Sequence, residues 1–303
     1  MKILIIGLGS IAKKHITILK EINSEFKFYA LRHTKSSDSW KDVINIYSWE
    51  EVKSSSYYFS IISSPSHLHL EHIKKLTELQ IPLMVEKPLF ISKKQLNEFD
   101  KEKIHPTLYV AFNMRFHPLI IFLKEYLKKN QPLIYEVNTY CGSYLPDWRL
   151  TNHKNSYSSK ANLGGGVYLD LMHELDYLIY LFGMPLRVNK NNRRVSDITE
   201  DSSDYSNITF DYKDFSAQII LNYYRRDKKR ILEIVTAKNS LEIDFIKGTV
   251  IDLLSKKLLF KSQADLMEDS YKNQINYLLK SIDSKNIPIN NLSEARVVLK
   301  KIL

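Results

Sequence analysis

The feature that most constrains the fold is a glycine pattern near the start of the chain. An apolar run at 2–6 leads into Gly7-Leu8-Gly9-Ser10-Ile11-Ala12, and an amphipathic segment follows at 11–22. In a strand-turn-helix unit, the first glycine permits the tight turn and the second lets a pyrophosphate approach the backbone. The small third residue allows close packing, and the helix N-terminus points N–H groups at the phosphates. The pattern predicts a dinucleotide site made by Gly7, Gly9, Ser10, Ile11 and Ala12, against the alternative of a purely structural turn.

The hydrophobic pattern changes character along the chain. At first, short apolar runs alternate with amphipathic segments, which is typical of a parallel sheet with crossover helices. Strands are predicted at 2–6, 26–31, 57–62, 83–85 and 107–111, and helices at 11–22, 66–79 and 92–101. After a helix at 117–129, strands follow at 133–141, 186–195, 204–212, 216–224, 231–236, 240–245, 249–254 and 257–260, too close together for helical crossovers. Further helices are expected at 163–182, 268–283 and 292–302.

These elements predict an α/β protein of two domains. Residues 1–116 are expected to form an N-terminal Rossmann domain with a doubly wound parallel sheet. Residues 117–303 are expected to form a C-terminal α+β domain with a large open, mostly antiparallel sheet, which binds substrate. Because an open sheet leaves a flat face to bury, we expect a homodimer or homotetramer.

Composition narrows the function classes. The 303 residues are 44% hydrophobic and 26% charged, as in ordinary globular proteins. A single cysteine, Cys141, leaves no intramolecular disulfide and no Cys-based zinc site, which suits the cytoplasm. No apolar stretch approaches the ~20 residues that span a bilayer, so no membrane partner is expected. The net charge of +10 favours acidic partners, but the lysine pairs are scattered and no nucleic-acid-binding motif accompanies them.

The end of the second predicted strand bears on the choice of dinucleotide. An NAD site places an acidic residue there for the ribose hydroxyls, whereas a 2′-phosphate requires positive charge and hydroxyls. This chain has Arg32-His33-Thr34-Lys35-Ser36, with no acid until Asp38. NADP(H) is therefore favoured, with Arg32 and His33 as cofactor residues and NAD(H) as the alternative. Arg32 as a solvated strand end is the structural alternative.

Four further motifs follow the glycine turn in order. They are Ser64-Pro65-Ser66-His67-Leu68-His69, Glu86-Lys87-Pro88, Phe112-Asn113-Met114-Arg115-Phe116 and Gly164-Gly165-Gly166-Val167-Tyr168-Leu169-Asp170-Leu171-Met172-His173-Glu174-Leu175-Asp176. This ordered set is spread over more than half the chain. It resembles the landmarks of the Gfo/Idh/MocA oxidoreductase family, with similarity to members associated with sugar and surface-glycan metabolism.

The resemblance implies pyridine-nucleotide chemistry on a sugar or related polyol. It places Lys87 near the nicotinamide and the reacting hydroxyl, and makes His173 the acid/base histidine. It also adds cofactor contacts from Ser64, Pro65, His69 and Glu86. The alternative for His69 is a cap on the helix that begins around Ser66. A histidine suits removal of a hydroxyl proton near neutral pH, and a lysine beside that oxygen stabilises developing negative charge. The structural alternative for His173 is a packed or helix-capping side chain.

Two aspartates flank His173 at helical spacing. Asp170 and Asp176 are each three residues from His173, so on one helix all three would lie near one face. Asp170 is then a third catalytic candidate, which orients the imidazole or contacts substrate hydroxyls. The commoner family pattern places the aspartate four residues before the histidine rather than three, so this chain departs from it at Asp170.

The remaining substrate candidates are polar and aromatic. A loop rich in hydroxyls and aromatic rings suits a sugar, which needs flat apolar faces and convergent hydrogen bonds. The candidates for substrate binding are Arg115, Trp148, Arg149, Tyr157 and Asp176. No metal site is expected. Three histidines lie close together in the sequence, but only His69 and His72 share a helix face, and His67 does not.

Two functional hypotheses remain open. The first is an NAD(P)-dependent oxidoreductase that interconverts a hydroxyl and a carbonyl on a sugar or nucleotide-sugar. The second is a sensor or regulator of the same fold that binds dinucleotide without turnover. Such proteins should lack the lysine and histidine pair, so the presence of both Lys87 and His173 favours the enzyme.

Overall fold

The chain forms two compact units. The computed structural model describes residues 1–33, 40–100, 108–148, 153–262, 265–286 and 288–303. One unit contains Met1–Phe112 with Tyr271–Lys301 and Leu303, and the other contains Asn113–Ser270 with Ile302. The C-terminal segment thus groups with the first unit, whereas the sequence placed all of 117–303 in a second domain. The reason is packing: the end of the chain returns to the first sheet, where Val110 N donates to Asn290 O at 2.9 Å.

The first unit is built on a six-stranded parallel sheet in the order β3-β2-β1-β4-β5-β6. Its strands are β1 Lys2–Ile6, β2 Lys27–Leu31, β3 Val43–Ile46, β4 Phe59–Ile62, β5 Leu83–Val85 and β6 Leu108–Val110. Central strands read as continuous apolar runs because both faces of a parallel sheet are covered. Ile3, Leu4 and Ile5 are accordingly inaccessible to solvent. The predicted doubly wound sheet is confirmed.

Helices of the first unit follow its strands. They are α1 Ser10–Ile22, α2 Trp49–Lys53, α3 His69–Glu78 and α4 Lys93–Phe99, with α8 Leu266–Ser284 and α9 Leu292–Ile302 at the end of the chain. Helix α8 starts in the second unit and continues in the first. Asp100, after α4, pairs with Arg296 at 2.5 Å and Lys300 at 2.8 Å of α9. No helix in the described part of the chain is long and apolar enough to cross a membrane.

Two short elements, β3 and α2, were not predicted. Strand β3 has only four residues, and Ile44 on it is exposed, so it lacks the continuous apolar run of the other strands. Helix α2 has five residues and is defined mainly by its start. There Ser48 accepts from Glu51 N at 3.2 Å, and the Glu51 carboxylate accepts from Ser48 N at 3.1 Å. This capping box was visible in the sequence as Ser48-Trp49-Glu50-Glu51.

The second unit contains an eight-stranded sheet in the order β14-β13-β12-β11-β7-β10-β9-β8. Its strands are β7 Ile134–Tyr144, β8 Arg187–Arg193, β9 Tyr205–Asp211, β10 Ser216–Asn222, β11 Tyr224–Thr236, β12 Ser240–Asp244, β13 Thr249–Asp252 and β14 Lys257–Lys261. Only the β7–β10 pair is parallel. The predicted mostly antiparallel sheet is confirmed, and helix α5 Pro118–Asn130 precedes it.

The two faces of this sheet differ in burial. Along β7, Val137, Thr139 and Cys141 are buried, whereas Asn138 and Tyr140 between them stay half-exposed. This alternation is that of an antiparallel sheet packed on one side. The expectation that a second copy covers the other face stays a prediction.

The single helix predicted at 163–182 is wrong. The segment forms α6 Val167–Asp170 and α7 His173–Phe182, preceded by a short 3-10 helix at Ala161–Leu163. Gly164 and Gly166 take φ values of +86° and +128°, which no right-handed helix allows. Asp170 ends α6 and His173 begins α7, with Leu171 and Met172 between the two helices. The single helix from which the shared face of Asp170 and His173 was inferred is therefore not formed.

The buried His117 predicts how stability depends on pH. Its Nδ1 accepts from Leu119 N at 3.3 Å at the start of α5, and its ring lies edge-on to Phe245 at 5.3 Å. Burial, with a smaller effect of Arg230, lowers the pKa of His117 to about 3. In the unfolded chain the pKa is about 6.5. Below that value the unfolded state binds a proton that the folded state does not, so the stabilisation by His117 is complete above pH 6.5 and is lost towards pH 3.

We expect the free energy of unfolding to fall as the pH drops from 7 to 4.5, and to fall less steeply in His117→Phe. Denaturant titrations followed by circular dichroism across this range measure both slopes. The exposed His67 provides the control, since His67→Phe should keep the wild-type slope. Equal slopes for wild type and His117→Phe would contradict the assignment.

Candidate active site

The turn between β1 and α1 leaves room for an anion. Gly7 has φ +86°, and a Cβ on it would lie 2.9 Å from both Cα and N of Ser64. A Cβ on Gly9 would meet no atom within 4 Å. Helix α1 begins at Ser10 with no side-chain cap and no acidic residue in its first turn. Backbone N–H groups of such a helix start bind phosphates, so the residues present fit a dinucleotide here.

The residues predicted to contact the adenosine ribose lie directly after β2. Arg32 is half-buried and its backbone N donates to Ile46 O at 2.9 Å, while the next residue, His33, is exposed. An exposed imidazole beside a half-buried guanidinium leaves both side chains accessible to a ligand. The following residues, 34–39, lie outside the described part of the chain.

The loop after β4 approaches the same edge of the sheet. Ser64 is buried, and its Oγ lies 2.9 Å from His72 Nδ1. Pro65 is exposed and precedes the 3-10 helix Ser66–Leu68. Burial is the main cause that lowers the pKa of His72, to about 4, so this ring is neutral near pH 7.

His69 occupies a different position from the one predicted. Its ring is inaccessible to solvent, with Nε2 2.9 Å from Ser64 O and Nδ1 3.1 Å from Pro88 O. Helix α3 starts at His69, but no side chain caps it. The sequence suggested a cofactor contact or a helix cap. The geometry instead supports a bridge between two loops, because a buried ring held by backbone carbonyls has no face left for a ligand.

Lys87 stands just beyond the carboxyl end of β5. Glu86 N donates to Ile62 O at 2.9 Å and so extends the pairing of β5 with β4. The Glu86 carboxylate lies 2.6 Å from His15 Nε2. Lys87 itself is half-buried, and a cis peptide joins it to the buried Pro88. Gly7, Ser64 and Lys87 thus all follow strands of one parallel sheet at the edge where open α/β sheets bind ligands.

His15 is a residue that sequence reasoning missed. It lies on the buried side of α1 with Ala12, Ile16 and Leu19. An ionisable residue on an apolar helix face requires a partner, and this was the available signal. The partner could not be named, because Glu86 is 71 residues away along the chain.

In the second unit, Asp170 accepts a hydrogen bond from a buried tyrosine. Tyr223 Oη lies 2.6 Å from Asp170 Oδ2, and both residues are buried. Burial, followed by the Asp170 charge, raises the pKa of Tyr223, so the phenol remains protonated and donates. The ring of Trp148 lies edge-on to Tyr223 at 5.4 Å and remains 37% exposed. Tyr223 was not predicted, since it sits in a strand pattern that reads as core.

His173 is the first residue of α7, and the residues after it are bound to their surroundings. The Glu174 carboxylate accepts hydrogen bonds from Arg230 Nε at 2.6 Å and Nη2 at 3.2 Å. Tyr177 Oη lies 2.7 Å from Thr139 Oγ1 of β7. His173 itself is half-buried. The helix is therefore fixed on the sheet while its first residue keeps access to solvent.

Arg115 and Asp176, predicted to bind substrate, pair with each other instead. Arg115 Nε and Nη2 donate to the two Asp176 oxygens at 2.9 and 2.7 Å. The two side chains are 3% and 0% exposed. A bidentate buried pair leaves neither group accessible to a sugar, and removing one partner of such a pair costs ~3–5 kcal/mol. Their role supported by geometry is to anchor α7.

The other predicted substrate residues lie in the loops before α6. Tyr157 is 41% exposed in the 3-10 helix Tyr157–Ser159. Gly165 packs so closely on the carbonyl oxygens of Tyr157, Ser158 and Lys160 that a Cβ would overlap them. Arg149 lies outside the described residues. Of the predicted substrate candidates, Trp148 and Tyr157 keep exposed rings.

Residues 1–103 match the profile of an oxidoreductase family, described as Gfo/Idh/MocA, NAD-binding Rossmann fold. Residues 1–103 thus form a Gfo/Idh/MocA NAD-binding domain. The resemblance expected from the motifs is thereby confirmed. The preference for NADP over NAD, by contrast, stays a prediction.

Comparisons with individual proteins extend beyond this Gfo/Idh/MocA domain. A 2,7-anhydro-N-acetylneuraminate hydratase of Mediterraneibacter gnavus is 26% identical over 58% of this chain, which spans 46% of that protein. A glucose-6-phosphate 3-dehydrogenase of Bacillus subtilis is 24% identical over 86% of this chain and 73% of that protein. A levoglucosan dehydrogenase solved with NADH and levoglucosan has a TM-score of 0.84 at 14% identity, covering 100% of this chain and 95% of the other. A likeness at that identity shows the fold alone.

The two glycines of the turn give a matched pair of variants. We expect Gly7→Ala to destabilise the protein and to abolish binding of NADH, because its Cβ collides with the Ser64 backbone and its φ costs a further ~1–2 kcal/mol. Gly9→Ala should keep the wild-type melting temperature, since its Cβ enters open space, yet weaken NADH binding because that space receives the phosphates. Thermal melts and calorimetric titration with NADH measure the two effects. Full NADH affinity in Gly9→Ala would show that the phosphates bind elsewhere.

Proposed function

We propose that this chain is an NAD(P)-dependent oxidoreductase that interconverts a hydroxyl and a carbonyl on a sugar or nucleotide-sugar. The observation that carries the proposal is the position of Lys87. It follows β5 at the carboxyl edge of an NAD-binding sheet, in a turn whose neighbouring residues are fixed by buried contacts. A lysine at this position, together with His173, favours the enzyme over a sensor that only binds dinucleotide.

The chain's own residues supply proton handling and charge stabilisation. The bound nicotinamide supplies the hydride acceptor or donor. The Lys87 ammonium, next to the reacting oxygen, stabilises the negative charge that develops there. His173 accepts the hydroxyl proton in the oxidation direction and returns it in reduction, a task that suits an imidazole near neutral pH. Its half-buried position lets it exchange that proton with solvent.

Asp170 has a supporting part in this scheme. Its carboxylate accepts a hydrogen bond from Tyr223, and the Tyr223 ring packs edge-on against Trp148, so Asp170 helps to position both rings. The exposed faces of Trp148 and Tyr157 offer the flat apolar surfaces that pyranose rings prefer. Ser64, Pro65 and Glu86 shape the cofactor side, with Pro65 the exposed member of the three.

The substrate class draws support from the relatives and from charge. The glucose-6-phosphate 3-dehydrogenase and the levoglucosan dehydrogenase are named for sugars or sugar derivatives. The net charge of +10 suits a phosphorylated, nucleotide-linked or acidic sugar through electrostatic steering. We therefore propose an anionic sugar derivative as substrate.

Removing Lys87 or His173 tests the chemistry. We expect Lys87→Ala and His173→Ala each to lower kcat by ~10²–10⁴-fold, the range typical of general acid–base catalysis, with NADH affinity nearly intact. Turnover is followed by NAD(P)H absorbance in a screen of anionic sugars, and affinity by calorimetry. Lys53→Ala and His67→Ala, which change exposed residues of the same types, are the controls. Wild-type kcat in either site variant would remove that residue from the mechanism, and nucleotide binding with no turnover of any sugar would favour the sensor.

The cofactor preference is tested at Arg32. If its guanidinium binds a 2′-phosphate, Arg32→Asp should weaken NADPH binding by at least ~10-fold relative to NADH, since a charge-assisted bond is replaced by repulsion. Calorimetric titrations with NADPH, NADH, NADP⁺ and NAD⁺ measure the ratio. Lys27→Asp makes the same charge change at the exposed opposite end of β2 and should leave it unaltered. An unchanged ratio in Arg32→Asp would show that Arg32 does not bind the 2′-phosphate.

A further inference from the structure

We propose that His15 and His69 are positioning residues, which fix the two ends of residues 86–89 and so hold the Lys87 amine in place. We call residues 86–89 the lysine turn. The proposal concerns how this turn is held, and it rests on the proposed function only for the task given to Lys87.

His15 holds the start of the lysine turn. Its ring is inaccessible to solvent, and its Nε2 lies 2.6 Å from Glu86 Oε1, whose side chain is 12% exposed. Hydrogen bonds to a carboxylate at this distance are among the stronger ones in proteins. The ring also lies edge-on to Tyr271 at 5.8 Å, so its plane is set by packing. The Glu86 side chain is therefore held from the second turn of α1.

His69 holds the end of the same turn. Its Nδ1 lies 3.1 Å from Pro88 O and 3.3 Å from Leu89 O, and its Nε2 lies 2.9 Å from Ser64 O. Backbone carbonyls only accept hydrogen bonds, and burial lowers the pKa of His69, so the neutral ring has one N–H to donate. The proposal requires the tautomer whose Nδ1–H donates to the lysine turn, with Nε2 in contact with Ser64 O. One imidazole thus ties the lysine turn to the loop after β4.

Lys87 lies between these two attachments. Glu86 is fixed through both its side chain and its backbone N, which donates to Ile62 O, and Pro88 and Leu89 are buried beyond it. The backbone of Lys87 therefore has little freedom, while its half-buried side chain extends from a fixed origin. Because neither histidine has any exposed surface, each acts through the lysine turn rather than on a ligand.

The two histidines also link the lysine turn to the other cofactor segments of the first unit. His15 belongs to α1, whose start forms the proposed phosphate site, and His69 reaches Ser64, the residue against which Gly7 packs. A shift of the glycine turn and a shift of the lysine turn are thus mechanically coupled. Purely apolar packing at positions 15 and 69 would fill space without fixing this register.

Substitutions can separate a hydrogen-bonding role from a packing role. Phenylalanine keeps the ring volume and removes the donors, whereas glutamine places an amide N–H near the position of Nε2. His117→Phe is the matched control, since it removes a buried imidazole of the second unit whose contacts are with Leu119 and Phe245. If His15→Phe does not fold, Glu86→Ala removes the same contact from the other side.

Amide hydrogen exchange of the full chain, without nucleotide, tests the attachment directly. In peptides that cover residues 83–92, His15→Phe and His69→Phe should exchange about tenfold faster or more than wild type, as expected when such a bond is lost. His15→Gln should lie close to wild type, and His117→Phe should equal it. Unchanged exchange in both phenylalanine variants would overturn the proposal whether or not the protein is an enzyme.

Kinetics test the consequence for Lys87, using the sugar that the wild type turns over. Misplacement of a catalytic group lowers the rate by on the order of 100-fold, so His15→Phe should lose kcat to this degree while KM and the NADH dissociation constant stay within about threefold. His15→Gln should recover most of the loss. Wild-type kcat in His15→Phe, or equal loss in the phenylalanine and glutamine variants, would contradict positioning. A wild type without turnover would instead refute the proposed function and leave hydrogen exchange to decide on the attachment.

Discussion

The backbone of the β1–α1 turn approaches the loop after β4 so closely that Gly7 has no space for a side chain. Strand β1 pairs with β2 on one side and β4 on the other, so the sheet order reverses at this point. Such a reversal opens a crevice at the carboxyl edge of the sheet, and the compactness of the turn decides how deep a ligand can reach. Ser63 Oγ adds to it by donating to Gly7 O at 2.7 Å. The start of α1 follows this contact directly, and Ser64 connects it through His69 to the lysine turn.

In each unit the protein buries ionisable groups where apolar ones would serve stability as well. Breaking a buried ion pair is costly, yet replacing the whole pair by well-packed apolar residues is often neutral or stabilising. The pairs of His15 with Glu86 and of Arg115 with Asp176 are therefore weakly explained by stability alone. The pairs instead orient the side chains involved, because a hydrogen bond fixes an angle and a register that apolar contact leaves free. One member of each pair, Glu86 or Asp176, lies close to Lys87 or His173 along the chain, where direction is what catalysis requires.

The bounds of an element could be predicted from the sequence where the local pattern and the tertiary structure agree. Strand β1 has the predicted bounds, and so does α9, because an apolar run or an amphipathic period reports the face that each element buries. Prediction failed at 163–182, where the backbone angles of Gly164 and Gly166 delay the helix to Val167, and where Leu171 and Met172 separate α6 from α7. It failed also for Arg115 and Asp176, because a charged residue far from its partner in sequence reads as a surface or ligand-binding group. The partner in a pairing over such a separation, like Glu86 for His15, cannot be identified from a single sequence.

The break at 163–182 changes how the position of His173 has to be understood. A continuous helix would set its orientation through local geometry, with Asp170 one turn away. Instead α7 starts at His173 with no side-chain cap, so its start is not fixed by capping. What fixes it is tertiary: the ion pairs of Glu174 and Asp176 and the bond from Tyr177 to Thr139 hold three residues within the first two turns. Lys87 is held by the same arrangement, with attachments on its neighbours Glu86, Pro88 and Leu89. In both units the side chain assigned to chemistry is thus left half-buried at the terminus of an element, and the residues beside it carry the constraint.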